Sequence, residues 1–175
     1  MKQGQFCFLD DQYYKDFPDE KLMKNKEAVN NVLNDRPCFF SFSDREVPEI
    51  LWLVPVSSKY EKYKPIYNKK VEKFGRCNTI RFGILLGNPA AFLIQNICPV
   101  TKKYIREIYV DKNKNPIQID DRTVTDIIRN AREVIAKVNR GAHIVFPDIK
   151  TIYAGLMNQL EEEKRLILKR RKPCC

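Results

Sequence analysis

Histidine is almost absent from this chain, and its scarcity excludes one well-known class of ribonuclease. The 175 residues contain a single histidine, His143. Cleavage of RNA by a pair of histidines, one acting as the general base and the other as the general acid, is therefore impossible within one chain. His143 follows Gly141 and Ala142. We expect its imidazole to pack or to cap a neighbouring element rather than to take part in catalysis.

Motifs that bind phosphates, zinc or a pair of catalytic metal ions are also absent. The chain has six glycines and contains neither GxxxxGKS, GxxxxGKT nor GxGxxG, which excludes a P-loop and gives no support to a dinucleotide site. Its six cysteines contain no CxxC spacing, so no zinc site is predicted. The pairs Asp10-Asp11 and Asp120-Asp121 would point to opposite faces of a strand, and such pairs usually mark turns or helix starts. We predict no cofactor.

Long apolar runs are missing as well. No stretch approaches the roughly 18 apolar residues that cross a bilayer, and the N-terminus lacks the apolar centre of a signal peptide. Cys7, Cys38 and Cys98 lie within short apolar runs and are expected to be buried, reduced thiols. These features predict a cytoplasmic protein with no membrane partner.

The C-terminal tail offers one argument for a membrane. Basic residues from Lys169 to Lys172 precede the terminal pair Cys174-Cys175, as in doubly prenylated proteins. Proteins with such tails are mostly small GTPases, and the missing P-loop counts against membership. We expect the tail to contact RNA or to be solvated.

What the chain does contain is positive charge. Lysine and arginine number 32 against 22 aspartates and glutamates, a formal net charge of +10. This imbalance favours a polyanionic partner, nucleic acid ahead of an anionic membrane surface. Charge alone does not distinguish a nuclease from a protein that only binds RNA.

The hydrophobic pattern predicts a single domain over residues 1–175, in which 148–172 form a C-terminal helix and basic tail. Strands are predicted over 5–9, 38–43, 50–56, 79–86, 91–98 and 105–110, and helices over 18–33, over 124–138 and from about 148. Gly141 is well placed to end the second helix, and Asp148 to cap the third. The fold class is therefore α+β, a compact twisted antiparallel sheet or open barrel flanked by helices.

The end of the strand over 50–56 is the most informative segment. The buried run ends in Ser57, Ser58 and Lys59, and a basic loop rich in tyrosine is predicted to follow. Because cations hold phosphates and aromatic faces stack on bases, this composition indicates an RNA-contacting edge. A solvated charged loop is the alternative. The RNA-binding candidates in the loop are Tyr60, Lys62, Tyr63, Lys64, Lys69 and Lys70, with Tyr67 between them.

These residue types suffice for RNA cleavage without a metal ion. The ribose 2′-hydroxyl attacks its own phosphate, so an enzyme need only align the two groups and stabilise the charge that develops. Lys59 would neutralise that charge, while Ser57 and Ser58 would bind a phosphate oxygen or orient the ribose. A tyrosine would hydrogen-bond the phosphate or move a proton.

Three short motifs stand out together: the run 6–9 followed by Tyr13, the run 55–59 and the run 92–100. They resemble the toxins of type III toxin–antitoxin systems, the ToxN, AbiQ and CptN group, with CptN-like toxins the most similar. The run 6–9 followed by Tyr13 resembles the opening strand of that family and its tyrosine. The run 55–59 resembles a strand end with Pro, an apolar residue, two hydroxyls and a nearby lysine. The run 92–100 resembles a later strand that ends in an apolar residue, Pro and Val.

The resemblance implies a sheet core similar to that of the MazF, Kid and CcdB toxins. It further implies a phage-defence (abortive infection) toxin: a metal-independent, sequence-specific endoribonuclease that leaves a 2′,3′-cyclic phosphate. Such toxins cut cellular RNA and process their own antitoxin RNA, a small pseudoknotted RNA that inhibits them in closed protein–RNA assemblies.

By position, the resemblance implies catalytic roles for Tyr13, Ser57, Ser58 and Lys59. The family places one residue between the second hydroxyl and the lysine, whereas Lys59 follows Ser58 directly, so Lys62 is the alternative lysine. The alternative function is a non-catalytic RNA-binding protein, which would explain the net charge and the Tyr/Lys segment equally well.

Overall fold

The apolar segments of the chain form one antiparallel sheet with helices packed on it. The computed structural model describes residues 1–29 and 32–170, so the basic tail beyond Arg170 lies outside the described residues. The strands are β1 (Phe6–Leu9), β2 (Lys26–Val29), β3 (Val32–Asn34), β4 (Cys38–Ser43), β5 (Ile50–Ser57), β6 (Arg81–Leu85), β7 (Asn88–Phe92), β8 (Cys98–Thr101) and β9 (Ile105–Ile108). The helices are α1 (Asp11–Asp16), α2 (Tyr60–Phe74), α3 (Asp121–Asn139) and α4 (Ile149–Arg170), with 3-10 turns at Ile94–Asn96 and Lys102–Tyr104.

Strand β5 lies at the centre of the seven-stranded sheet, in which six strands follow the order β6-β7-β5-β4-β1-β9 and the seventh, β8, pairs with β5 alone. Strand β5 pairs with β4 on one side. On the other side its first half pairs with β8 and its last two residues, Val56 and Ser57, pair with β7. The sheet does not close, because β6 and β9 end the path of paired strands without pairing with each other among the described residues. This confirms the predicted α+β fold with an open antiparallel sheet.

Helices cover three regions of the sheet. Helix α3 packs residues such as Ile127 and Val134 against Phe39, Val54 and Phe92. Helix α4 covers the opposite face, and α2 covers the β7 end. The apolar residues of α3 recur with the predicted helical period, and Asp120 accepts a hydrogen bond from the Thr123 amide at its start. The α4 N-terminus is likewise capped by Asp148, as predicted.

Two predicted elements are wrong in type. The helix predicted over 18–33 is replaced by turns and by the hairpin β2–β3, in which Val29 pairs with Val32. Asparagine and β-branched valine are poor helix formers, and the segment lacks a sustained apolar face. A short helix, α1, lies just before this segment and has Asp10 as its N-cap.

The basic loop predicted after Lys59 is also wrong, because residues 60–74 form helix α2. Pro65 lies inside this helix and removes one backbone hydrogen bond. Tyr63, Tyr67 and Val71 recur at helical spacing and pack on the sheet, which offsets that loss.

The strand predicted over 91–98 is split into β7 and β8 by a 3-10 turn. Val56 pairs with Phe92 and Leu53 pairs with Cys98. The 3-10 turn therefore allows both β7 and β8 to pair with β5. No helix in the described ranges has the length and apolar character needed to cross a membrane.

Candidate RNA-cleavage site at the end of strand β5

The chain turns sharply from β5 into α2 at the serine pair. Ser57 is buried, and its Oγ accepts a hydrogen bond from the Lys59 amide at 3.2 Å. The next turn is closed by the Tyr60 amide, which donates to the Ser58 carbonyl oxygen at 2.9 Å. Ser58 and Lys59 are exposed. The buried first hydroxyl thus shapes the turn, and the second hydroxyl and the ammonium are presented to solvent.

Lys59 is also the N-cap residue of the 15-residue helix α2. The unpaired amides at a helix N-terminus carry a partial positive charge that favours anions. Lys59 adds a full positive charge at this helix start, and Glu61 in the first turn partly offsets it. The exposed end of β5 therefore has the electrostatic character that a phosphate requires.

The tyrosines of α2 are less accessible to RNA than they would be in an exposed loop. Tyr63 and Tyr67 pack in the cluster around Ile80 and Leu93. The rings of Tyr60 and Tyr67 lie 4.7 and 5.2 Å from the Phe82 ring. These contacts attach α2 to β6 and β7, and they leave the three tyrosines only partly exposed.

The predicted RNA-binding lysines separate into two groups. Lys62, Lys64 and Lys69 are exposed on α2. Lys70 turns inward, where its Nζ lies 2.7 Å from Thr79 Oγ1 and 2.8 Å from Gln95 Oε1. Partial burial lowers the pKa of Lys70. Its ammonium therefore links α2 to the turn that divides β7 from β8, and it is not free to bind a phosphate in this arrangement.

Lys70→Ala is expected to destabilise the fold by about 1–3 kcal/mol, because Gln95, which is only 3% exposed, loses its charged partner. Lys69→Ala, which removes an exposed neighbour, is expected to change stability by less than about 0.5 kcal/mol. Urea denaturation of both variants measures the difference. Equal midpoints would show that the Lys70 contacts contribute nothing to stability.

Tyr13 is placed in the core and not at the exposed end of β5. It is fully buried, its hydroxyl donates to the Pro99 carbonyl oxygen at 2.9 Å, and its ring meets Tyr14 and Tyr104 edge-on at 5.4 Å. Burial raises the pKa of the phenol well above its usual range. The geometry is that of a packing residue, and a direct part in chemistry stays a prediction of the resemblance.

Tyr13→Phe is expected to lower the free energy of unfolding by about 1 kcal/mol, because the buried Pro99 carbonyl loses its hydrogen bond. Thermal unfolding of the variant, measured together with its RNA cleavage rate, tests this expectation. A slower cleavage rate with unchanged stability would contradict the packing role and support a catalytic one.

A small cleft of about 280 Å³ opens beside Ser58. Arg36, which none of the sequence motifs indicates, lies in its wall, and its Nη1 donates to the Val56 carbonyl oxygen at 3.2 Å. The signal for this residue was present in the pairing of the predicted strands. Antiparallel β4 and β5 place Cys38 opposite Pro55, so the residues before β4 must lie beside those after β5.

His143 lies elsewhere. It is exposed and lines a separate cavity of about 1010 Å³ beside the start of α4, together with Phe17, Asp19 and Phe146. In the part of the chain that the structure describes, no three histidine, cysteine or acidic side chains are grouped closely enough to hold a metal ion.

No protein-family model matches this chain, and no curated protein sequence matches it significantly. The fold, however, is shared with a solved endoribonuclease structure. That protein is AbiQ, a lactococcal anti-phage endoribonuclease belonging to the type-III toxin–antitoxin system. The TM-score is 0.64 at 14% sequence identity, and the match covers 91% of this chain and 99% of the AbiQ chain. The likeness confirms the resemblance stated above at the level of the fold.

Proposed function

We propose that this protein is an endoribonuclease toxin of the type III kind, which cleaves RNA at the end of strand β5. The observation that carries the proposal is the exposed pair Ser58 and Lys59 at the end of the central strand and the start of α2. It occurs in a chain that shares its fold over nearly its full length with AbiQ.

In the proposed reaction the ribose 2′-hydroxyl loses its proton and its oxygen bonds to the adjacent phosphorus, while the bond from phosphorus to the 5′-oxygen breaks and that oxygen gains a proton. The products are a 2′,3′-cyclic phosphate and a 5′-hydroxyl, so water does not enter the first step, and we propose that no metal ion is required. Lys59 neutralises the charge that develops on the phosphate, and Ser58 donates a hydrogen bond to a nonbridging oxygen. Ser57 supports both by holding the turn.

We further propose a small folded RNA, a pseudoknotted antitoxin, as the natural inhibitor. It would occupy the same exposed end of β5, be produced by the enzyme's own cleavage of a repetitive precursor, and form closed assemblies with the protein in the cytoplasm. The net charge of +10 and the exposed Lys62, Lys64 and Lys69 of α2 suit such a polyanion.

The test is incubation of the purified protein with a mixed RNA pool in excess EDTA, followed by analysis of the product ends. We expect discrete cleavage that leaves 2′,3′-cyclic phosphates and 5′-hydroxyls. Tight RNA binding without cleavage at any salt concentration would overturn the enzyme proposal and support a non-catalytic RNA-binding protein.

A further inference from the structure

The cleft beside Ser58 is bounded by two parts of the chain outside the turn from β5 into α2. One wall is formed by Arg36 and Pro37 at the start of β4. The other is formed by the β6–β7 hairpin, including Leu86 and Pro89. At about 280 Å³ the cleft is too small for a duplex but suits a single nucleotide. Because Ser58 lines the cleft, the cleft adjoins the proposed site of RNA cleavage.

The guanidinium of Arg36 is held in place before any ligand binds. Its Nη1 donates to the Val56 carbonyl oxygen at 3.2 Å, and its Nε donates to the Lys24 carbonyl oxygen at 3.3 Å. These two bonds use two of the five N–H groups of a guanidinium. Val56 is two residues before Ser58, so the fixed positive charge lies beside the proposed cleavage site. An arginine fixed in this way can bind a phosphate with little further loss of side-chain entropy.

The charge of the cleft points to an anionic ligand. Among the described residues that line it, Arg36 is the only cation. The single acidic residue in the lining, Asp35, is already paired with Arg106. Arg106 offsets the Asp35 charge, although it also contacts Glu107 outside the cleft lining, and Arg36 supplies the positive charge of the lining itself. The guanidinium fork matches the oxygens of a phosphate.

The remaining walls suit a nucleobase. Leu86 is 56% exposed at the hairpin tip and has a positive φ of 51°. Across the cleft, the Tyr109 ring packs against Phe8 with the centroids 4.9 Å apart. Apolar and aromatic faces on two sides of a narrow cleft bind an unstacked base. An exposed leucine at a turn contributes little to the core, which favours a role in binding.

We propose that Arg36 is a substrate-binding residue that contacts the scissile phosphate together with Ser58, and that the cleft holds the nucleotide adjoining that phosphate. The proposal rests on the proposed endoribonuclease function and adds a residue and a specificity subsite to it. The base in the cleft lies between Tyr109 and the hairpin tip, so the hairpin contributes to the choice of cleavage sequence.

The phosphate contact is tested by binding of fully 2′-O-methylated RNA of random sequence, which cannot undergo attack by a 2′-hydroxyl. Arg36→Gln is expected to weaken binding about tenfold or more. It should also reduce the slope of log Kd against log salt concentration by about 0.7, the value for one lost phosphate contact on a single strand. Arg36→Lys keeps the charge and should restore the slope but not the full affinity.

Arg45→Gln is the matched control, since it removes the same charge from the turn at the opposite end of β5. It should leave both the affinity and the slope near the wild-type values. Thermal unfolding of each variant detects misfolding. Misfolding lowers the amount of active protein, but by itself it would not produce the change in salt slope expected for the loss of one phosphate contact. An unchanged slope in folded Arg36→Gln would overturn the phosphate contact.

The base contact is tested on the hairpin, where substitution does not disturb the core. Leu86→Ser is expected to change the enrichment of the preferred sequence over other sequences at least severalfold. Sequencing of the cleaved RNA ends measures this for cleavage, and sequencing of the bound RNA pool measures it for binding. Ile84→Ser changes a residue of equal exposure, 55%, that does not line the cleft, and it should keep the preference. The same preference in both variants would overturn the base subsite.

The two proposals fail in different ways. If wild-type protein binds RNA but never cleaves it, the endoribonuclease function is wrong, and the salt slopes still test whether Arg36 binds a phosphate. If wild-type protein cleaves RNA and Arg36→Gln cleaves at the same rate, the function stands and the assignment of Arg36 is wrong.

Discussion

Lys59→Ala is expected to slow RNA cleavage by about 10²–10³-fold, the usual cost of removing one group that stabilises a developing negative charge. The side chain is exposed at the first turn of α2 and follows Ser58 directly. Its loss should leave the fold intact, because no described contact of the core depends on it. Single-turnover cleavage of a defined RNA, followed by gel electrophoresis, gives the rate.

Two further lysines make this experiment decisive. Lys62→Ala removes the same charge one helical turn further along α2, and a modest effect there would assign the catalytic role to Lys59. Lys102 follows Thr101, which pairs with Ile50 at the other end of β5. The Lys102→Ala variant should therefore cleave RNA at the wild-type rate. If Lys62→Ala lost activity while Lys59→Ala kept it, the functional lysine would be Lys62.

Ser58→Ala belongs to the same prediction. A hydrogen bond to a charged group contributes roughly 1.5–3 kcal/mol, so its loss should slow cleavage by about tenfold to a hundredfold. Ser57 is buried and bonded to the backbone. Ser57→Ala should therefore act through the turn and lower stability as well as rate, which distinguishes the two hydroxyls.

The second large effect is expected from Phe92→Ala, which should destabilise the protein by about 3–5 kcal/mol. Phe92 is fully buried, and its ring lies 5.8 Å from Phe39 and 6.2 Å from Phe6. It also pairs with Val56, next to the serine turn. Because small domains are stable by about 5–15 kcal/mol, this loss would remove from about a fifth to nearly all of the free energy of unfolding.

Urea denaturation measures this loss, and Phe74→Ala is the control. Phe74 is 65% exposed at the end of α2, so its truncation should change stability little. Equal losses in the two variants would contradict the placement of the core between β1, β4 and β7. If Phe92→Ala stays folded at low temperature, its cleavage rate should fall too, because Val56 positions the serine turn.

The sequence predicted the elements whose residues repeat with one clear period. Strand β4 was predicted with its observed bounds, and β5 to within one residue, because both are buried runs bounded by turn residues. The period of α3 was equally clear. Helix α2 was missed because Pro65 and many charges obscured an apolar face that only packing against β6 and β7 makes useful.

The candidate site was readable from the sequence only in part. A strand end followed by hydroxyls and a lysine can be read along the chain, so Ser57, Ser58 and Lys59 could be selected as candidates, and their catalytic roles stay predictions. Arg36 could not be selected, because its proposed role depends on a contact across strands to Val56. The inward turn of Lys70 and the burial of Tyr13 likewise depend on tertiary packing, which a motif does not encode.

The most direct test of RNA cleavage at the end of β5 replaces the attacking group. A defined RNA is first cut by the wild-type protein in EDTA to map one cleavage position, and the same RNA is then made with a single 2′-deoxyribose at that position. Cleavage there should cease while binding is retained, and the unmodified all-ribose RNA should be cut at that position to yield only 2′,3′-cyclic phosphate and 5′-hydroxyl ends. Continued cleavage of the deoxy substrate at the same bond would contradict the mechanism.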